Sequence, residues 1–553
     1  MTATERTALL SNKAPVEQSR REFAFMMVGI WSFTFISSLD GTLVATLLST
    51  IGSSLQSMQL ASWIGTSYLL ALTASTPLYG RLTNALGRRP SIMFTVILFT
   101  VSMVMCGFAT SMPQLVIRRA LAGIGGSGLT IVTSVLVSDV VPLKSRGLFQ
   151  GYTNLVFGLG GAIGAPLGGF LGDTIGWRAA FKIQAPILCL GTLLVFLTAR
   201  EPAYVLSVRQ TSLIFKLKRI DYAGTITLTA WLLTFLIGMN YKTTFGREWE
   251  DPHVWGYLVA SSILLLAFLV IEFKLAVEPI MPVAMLRHRT PLFVAIHNFI
   301  LSVLSFSTLY NVPLFFTAAL LRTSANAGSH LIPNSVAVAI GSFSAGLYMR
   351  HTGRYWTFQA IAGTGLIIAN LILSTWTAKT PEWVFYLTLM PSGFGFASTL
   401  TTSLLALIAS VPRDDIPLAT GLSYLFRTTG QVLGVSLSAA LTQTLLAREL
   451  RVRIPDKPEV VRRILESTAY IRTLPDDLKK QATESWMKGL HVVFVCQIVI
   501  AVCLFLSSLP IEELPLPDTV DNAKSPSSPA GDAEARSNSA RRETAGQGAR
   551  LDE

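Results

Sequence analysis

A charged side chain at the centre of a lipid bilayer costs about 2.5–3.5 kcal/mol on insertion scales, so one found inside a long apolar stretch is a candidate for chemistry. Three stand out in this sequence: Asp40, Arg119 and Arg427. Burial favours the neutral carboxyl and a nearby cation favours the carboxylate. Asp40 is therefore a candidate to alternate between the two forms, coupling proton movement to substrate binding; the alternative is a water-facing residue that hydrogen-bonds its neighbours. Arg119 keeps its proton and suits pairing with a carboxylate, or a structural tie between helices, better than proton carriage. Arg118 projects about 100° away on a helix, so only one of the two faces inward. Arg427 has the same chemistry, as a substrate contact or as a structural residue. His297 and Asn298 are further candidate cavity residues, and a histidine can titrate at an acidic compartment. Asn154, like Gln150 and Gln184, is a polar group suited to bonding across helices.

The elements that must position these residues are membrane helices. Hydrophobic residues make up 51% of the 553-residue chain and charged residues 14%, against about 25% charged in an ordinary soluble protein. Disorder and most soluble enzymes are excluded for the bulk of the chain. Apolar windows long enough to span a bilayer fall near 24–47, 60–79, 91–109, 114–138, 148–171, 179–198, 221–240, 254–273, 291–317, 331–349, 356–376, 384–410, 418–446 and 489–509. Fourteen spans place both termini on one side.

Basic residues concentrate in the even-numbered loops, among them Arg81, Arg88, Arg89, Lys144 and Arg146. The short odd loops hold only Arg178, Lys242, Arg247, Arg322 and Lys379, so the charge bias puts both termini in the cytosol. The last odd loop, 449–488, mixes both signs and is expected to be a non-cytosolic amphipathic excursion. The formal charge of +12 is met by anionic lipid headgroups at these edges and calls for no nucleic acid. Residues 510–553, rich in Pro, Ser, Ala and acidic side chains, are expected to be a disordered cytosolic tail.

Several motifs resolve into structure rather than catalysis. Gly123-Ile124-Gly125-Gly126-Ser127-Gly128 has the spacing of a dinucleotide-binding turn, but it lies inside an apolar helix without the strand that such a turn requires. It is expected to be a close-packing surface. There is no phosphate-binding loop of the Walker type, so an ion gradient is the more economical energy source than ATP. Cys106, Cys189, Cys496 and Cys503 fall inside spans and are expected to pack as small apolar residues, with no metal site or cofactor.

An internal repeat organises the chain. Gly80 and Gly87, followed by Arg88 and Arg89, lie between the second and third spans; Gly346 and Gly353, followed by Arg354, lie between the tenth and eleventh. Eight helices separate the loops, which is the spacing of two six-helix halves flanking two inserted helices.

On these residues the chain resembles the major facilitator superfamily. The 80–90 loop resembles its signature loop, with Asn84 where an acidic residue is usual. Arg119-Ala120-Leu121-Ala122-Gly123 is similar to its arginine-to-glycine motif, and Gly160, Gly164, Pro166, Gly168 and Gly169 to the glycine-proline motif of antiporters and exporters. Leu39-Asp40-Gly41-Thr42-Leu43-Val44-Ala45 resembles the opening motif of the fourteen-helix drug:proton antiporter branch, with Ser49 at its usual proline. Tyr424-Leu425-Phe426-Arg427-Thr428-Thr429-Gly430 and Pro77-Leu78-Tyr79-Gly80 resemble patterns of fungal vacuolar basic amino acid transporters, which are relatives of multidrug exporters.

The resemblance implies an all-α polytopic membrane protein of the major facilitator fold, arranged six plus two plus six. Its expected parts are a tail at 1–22, a bundle at 23–200, a linker with two extra helices at 201–290, a bundle at 291–509 and the tail. The implied function is secondary active transport, not enzymatic catalysis, with protons exchanged for a small organic molecule leaving the cytosol. Basic amino acids entering the vacuole are one cargo; drugs, toxins or a secondary metabolite expelled at the plasma membrane are the alternative, and a transport-inactive nutrient receptor is a third possibility. Glu5, Leu9 and Leu10 match an acidic dileucine signal for a sorting adaptor.

Overall fold

The structure is a computed structural model that describes residues 20–55, 57, 60, 62–141, 143–199, 221–243, 247, 249–275, 283–412, 415–466 and 468–514. Among these residues it is helical throughout, with no strands. The long helices are α1 (Arg20–Ser54), α2 (Ser62–Leu86), α3 (Arg88–Cys106), α4 (Met112–Val140) and α5 (Leu143–Thr174). Next come α6, in two pieces (Trp177–Lys182 and Ala185–Thr198), α7 (Tyr222–Thr243) and α8 (Pro252–Val270). The remainder are α9 (Arg289–Leu314), α10 (Ile332–Thr352), α11 (Trp356–Ser374), α12 (Glu382–Ala409), α13 (Ile416–Arg453) and α14 (Asp476–Ser508). Thirteen of the fourteen are long and apolar enough to cross a membrane. The other, α2, has 25 residues and a more polar composition, including Arg81 and Asn84.

Prolines open several of these helices, at Pro113, Pro186, Pro252, Pro333 and Pro417, where their fixed φ is preorganised and the missing N–H has no helical partner to lose. Asp251 caps α8 by accepting from the His253 backbone N–H at 2.9 Å. That bond, with a second from the His253 side chain, holds the Asp251 carboxyl below its ordinary pKa. The two repeat loops turn on the same backbone device: Gly87 has φ 101° and Gly353 has φ 67°, a region that glycine enters without steric cost.

Helix packing repeats with an offset of eight. In the first half α5 packs on α1, α4 on α2 and α3, and α6 on α1 and α3; in the second, α13 packs on α9, α12 on α10 and α11, and α14 on α9 and α11. The halves meet through α5 against α10 and α13 against α2, again an offset pair. Between them α7 contacts α2 and α13 and pairs with α8. Only Val254, Ser261 and Phe268 of α8 are buried, so most of this apolar helix faces outward, as a lipid-facing helix does.

Glycine faces bring the backbones together. A Cβ on Gly160, Gly164 or Gly168 of α5 would lie 2.4 Å from Phe35 O, 2.2 Å from Thr42 Oγ1 or 2.5 Å from Thr46 Oγ1 of α1. In the second half Gly430 and Gly434 of α13 approach Phe299 O and Val303 O of α9 equally closely, at 2.4 and 2.6 Å. Pro166 sits within α5 on this stretch, and Gly169 is partly buried beside it. Gly123 and Gly125 of α4 lie against the backbones of Tyr68 and Phe99, so the stretch with dinucleotide-like spacing is a packing face. Cys106 is buried, while Cys189, Cys496 and Cys503 are exposed, and all four are free.

The 449–488 segment is mostly helical. Beyond α13 come Pro458–Glu466 and a 3-10 turn at Thr468–Thr473 before α14 begins. Val461, Ile464 and Ile471 pack with Leu446, Leu450 and Trp486, leaving Glu459, Arg462 and Arg463 exposed.

Gly164→Ala should lower the melting temperature of the purified protein by an amount equivalent to about 1–3 kcal/mol, because the added methyl overlaps α1. Gly41→Ala, whose Cβ meets nothing within 4 Å, should leave it unchanged.

Candidate functional site

Asp40 on α1 and Arg119 on α4 form a direct ion pair, Nη1 to Oδ2 2.6 Å, with both side chains 2% exposed. Arg119 also donates from Nε to Ile64 O of α2 at 3.2 Å, and its guanidinium lies 4.7 Å from the centre of the Tyr68 ring. Tyr68 in turn contacts Ser37 Oγ at 3.3 Å. The cation thus ties α1, α2 and α4 together. Asp40 Oδ1 is buried and has no hydrogen-bond partner, which leaves one oxygen of the carboxylate able to take a proton. Arg118 projects elsewhere and donates to Met105 O at 2.6 Å.

A cavity of about 290 Å³ lies beside this pair, walled by both halves. Its lining includes Gly41, Tyr68 and Arg119 from the first half and Phe306, Tyr310, Asn334, Phe396, Arg427 and Gln431 from the second. A smaller cavity of about 150 Å³ lies toward the end at which α1 begins and includes Asn154. Ser37, Thr130, Phe157, Tyr424 and Arg427 border both. Convergent hydroxyls, amides and aromatic rings in a concave space between packed halves are the surroundings in which small organic molecules bind.

The remaining sequence candidates are distributed differently. Asn154 donates to Ser342 Oγ at 2.7 Å, and Ser342 meets Thr401 Oγ1 at 2.8 Å, a polar chain from α5 through α10 to α12. His297 Nδ1 meets Ser507 Oγ at 3.0 Å and Asn298 bonds Ser423 and Ser403, so both bind helices together, away from the two cavities. Arg88 is buried and donates to Thr83 O at 3.2 Å, while Arg89 is exposed. Gly80 lies near the end of α2. Glu5, Leu9 and Leu10 lie outside the described residues.

Sequence reasoning missed Tyr68, Tyr310, Asn334 and Gln431; the two amides carried the same signal as Asn154, while the tyrosines stand out little inside an apolar helix. It also missed a cluster at the end where α9 finishes and α12 begins. Arg322 grips Glu382 with two bonds of 2.6 and 2.9 Å. The buried His330 stacks between Phe316 and Tyr386, and its two ring nitrogens face Asn326 O and Glu382 Oε1. Among the charge-bias residues, Arg322 was visible only as a loop cation.

Two six-helix halves related by an eight-helix offset, enclosing a polar cavity beside a buried charge pair, define a secondary membrane transporter. Residues 30–435 match the Major Facilitator Superfamily, and the chain belongs to that family. It is 38% identical over 536 residues to multidrug resistance protein fnx1 of Schizosaccharomyces pombe, covering 94% of this chain and 99% of that one. It is 31% identical to vacuolar basic amino acid transporter 2 of Saccharomyces cerevisiae, covering 78% of this chain and 93% of the relative. Among solved structures, the human organic anion transporter MFSD10 aligns with a TM-score of 0.58 at 15% identity, over 89% of this chain and all of that one. That likeness concerns the fold alone.

Removing one member of the Asp40–Arg119 pair strands a buried charge, at a cost of about 3–5 kcal/mol. Asp40→Leu and Arg119→Met should each lower the melting temperature strongly. The double variant should recover most of the loss and yet fail to transport.

Proposed function

We propose that the protein is a proton-coupled antiporter that carries a small organic molecule out of the cytosol by alternating access. Bundles 23–200 and 291–509 rock about the shared cavity, 201–290 carries the two extra helices, and 1–22 and 510–553 are cytosolic tails. The observation that carries the proposal is the unpartnered Asp40 Oδ1 in a buried ion pair whose cation lines the cavity. With Asp40 charged, Arg119 is held against α1. A proton on Asp40 weakens that attraction and frees the guanidinium to turn toward cavity contents, so proton and substrate compete for the state of one arginine. Asp40 itself borders neither cavity, so its role is coupling and not direct substrate contact. Asn154, with His297 and Asn298, supports the helices around this site. Gly80, Gly87, Arg88 and Arg89, with the glycine face of α5, provide the turn and the close packing on which the halves move.

The leading cargo is a basic amino acid loaded into the vacuole, supported by the similarity to a protein named for that transport. Efflux of drugs, toxins or a secondary metabolite at the plasma membrane is the second reading, favoured by the aromatic lining and by the similarity to a multidrug resistance protein. The loop charges support cytosolic termini, within reach of an adaptor that binds Glu5, Leu9 and Leu10.

Reconstituted protein should accumulate labelled lysine or arginine when an inward-acid pH gradient is imposed. Asp40→Asn should abolish the response to the gradient. Transport indifferent to pH and unchanged in Asp40→Asn removes the coupling role, while a tagged copy at the plasma membrane with no basic amino acid flux selects efflux.

A further inference from the structure

We propose that Arg427 anchors an anionic group of the substrate, most simply a carboxylate, so that the cargo class is organic molecules bearing such a group. This deepens the transport assignment above and rests on it. Among the described residues two guanidinium groups border the cavities, and their situations differ. Arg119 is neutralised by Asp40 at 2.6 Å. Arg427 has a buried Nε without a hydrogen-bond partner, and no carboxylate pairs with it among the described residues. Among the described residues no Asp or Glu lines either cavity, so the Arg427 charge has no carboxylate facing it there.

A permanently charged group in a poorly solvated space is costly until a counter-charge arrives. The guanidinium fork matches a carboxylate with two parallel bonds. The placement suits a transport site, since Arg427 borders both cavities and can meet a ligand in either. The Tyr424 ring centre, 5.5 Å from its guanidinium, backs the cation, and Gln431, one helical turn along α13, adds a neutral hydrogen-bonding group to the same chamber. An amino acid would set its carboxylate on Arg427 and its cationic end toward aromatic faces such as Tyr310 and Phe396, where ring quadrupoles attract cations. A cation with no anionic group finds no carboxylate to receive it.

The test uses the purified full-length protein and matched pairs of probes that differ by one carboxylate: arginine and agmatine, lysine and cadaverine, tryptophan and tryptamine. Binding is measured calorimetrically, and uptake is measured in vesicles under a pH gradient. The expected result is that at least one acid binds at least tenfold more tightly than its decarboxylated partner, and that Arg427→Gln removes this preference. Arg427→Lys should keep the preference with weaker affinity, because the charge remains and the fork is lost. The ligand-free melting temperature of Arg427→Gln should hold or rise, since an uncompensated charge has gone; a marked fall there indicates a structural arginine and overturns the proposal. Equal binding of acids and amines, or binding of none of the acids, overturns it as well. If amines are carried against the pH gradient as well as acids, the anion site fails while proton-coupled transport stands. If acids bind through Arg427 but no gradient drives them, the coupling reading fails and the anion site stands.

Discussion

Arg119 keeps its proton under all physiological conditions, and it is buried among four helices in the apolar part of the first half. Asp40, Ile64 O and the Tyr68 ring meet that charge from α1 and α2. Their positions require α1, α2 and α4 to approach at one depth. The glycines of α4 allow this, since Gly123 lies against Tyr68 O and Gly126 against its hydroxyl. The cavity follows from the same arrangement, because Tyr68 and Arg119 form its wall. Both faces of the pair therefore matter: one secures the helices, and the other is presented to the transport path.

The repeat extends this logic to the second half without copying its chemistry. The close backbone contact of α5 with α1 recurs between α13 and α9, through Gly430 and Gly434. Where the first half ties α1 to α4 with an ion pair, the second half ties α9 to its neighbours with neutral networks. Asn298 joins Ser423 and Ser403, Asn311 accepts from Thr442, and Gln497 donates to Ser307. Neutral bonds of this kind tie helices at modest cost in lipid and do not titrate, so in the proposed cycle the proton acts on the first half's ion pair.

The number of spans, the repeat and the two positive-φ loop glycines were legible in the sequence, because length, apolarity and glycine spacing have direct structural meanings. Asp40 and Arg119 were legible as buried charges. Their mutual pairing was not, since 79 residues separate them and nothing local sets the relative rotation of α1 and α4. Helical phase explains the other differences. In a helix that is apolar on every side, hydrophobic periodicity does not identify the inward face. His297 and Asn298, expected in the cavity, consequently prove to face neighbouring helices, while Tyr68, Tyr310 and Gln431 face the cavity unannounced. The Arg322, Glu382 and His330 cluster was hidden for another reason: an arginine in a short loop has a sufficient explanation in topology, and its partner lies 60 residues away.

Separation of Asp40 from the cavity bears on how one scaffold accommodates different cargoes. Asp40 borders neither cavity and touches their wall through Arg119. In the proposed cycle, proton chemistry therefore depends on one fixed geometry among α1, α2 and α4. The cavity wall opposite it is built from rings, small hydroxyls and amides, such as Phe306, Phe396, Ser335 and Asn334. Exchanging one of these for another alters shape and hydrogen bonding without stranding a charge, so cargo preference can shift by small steps. The charged pair has no such latitude, because every single replacement leaves its partner ionised in an apolar interior. On the proposed function, the charge pair is accordingly the fixed constraint within this architecture, and substrate choice is the variable placed beside it.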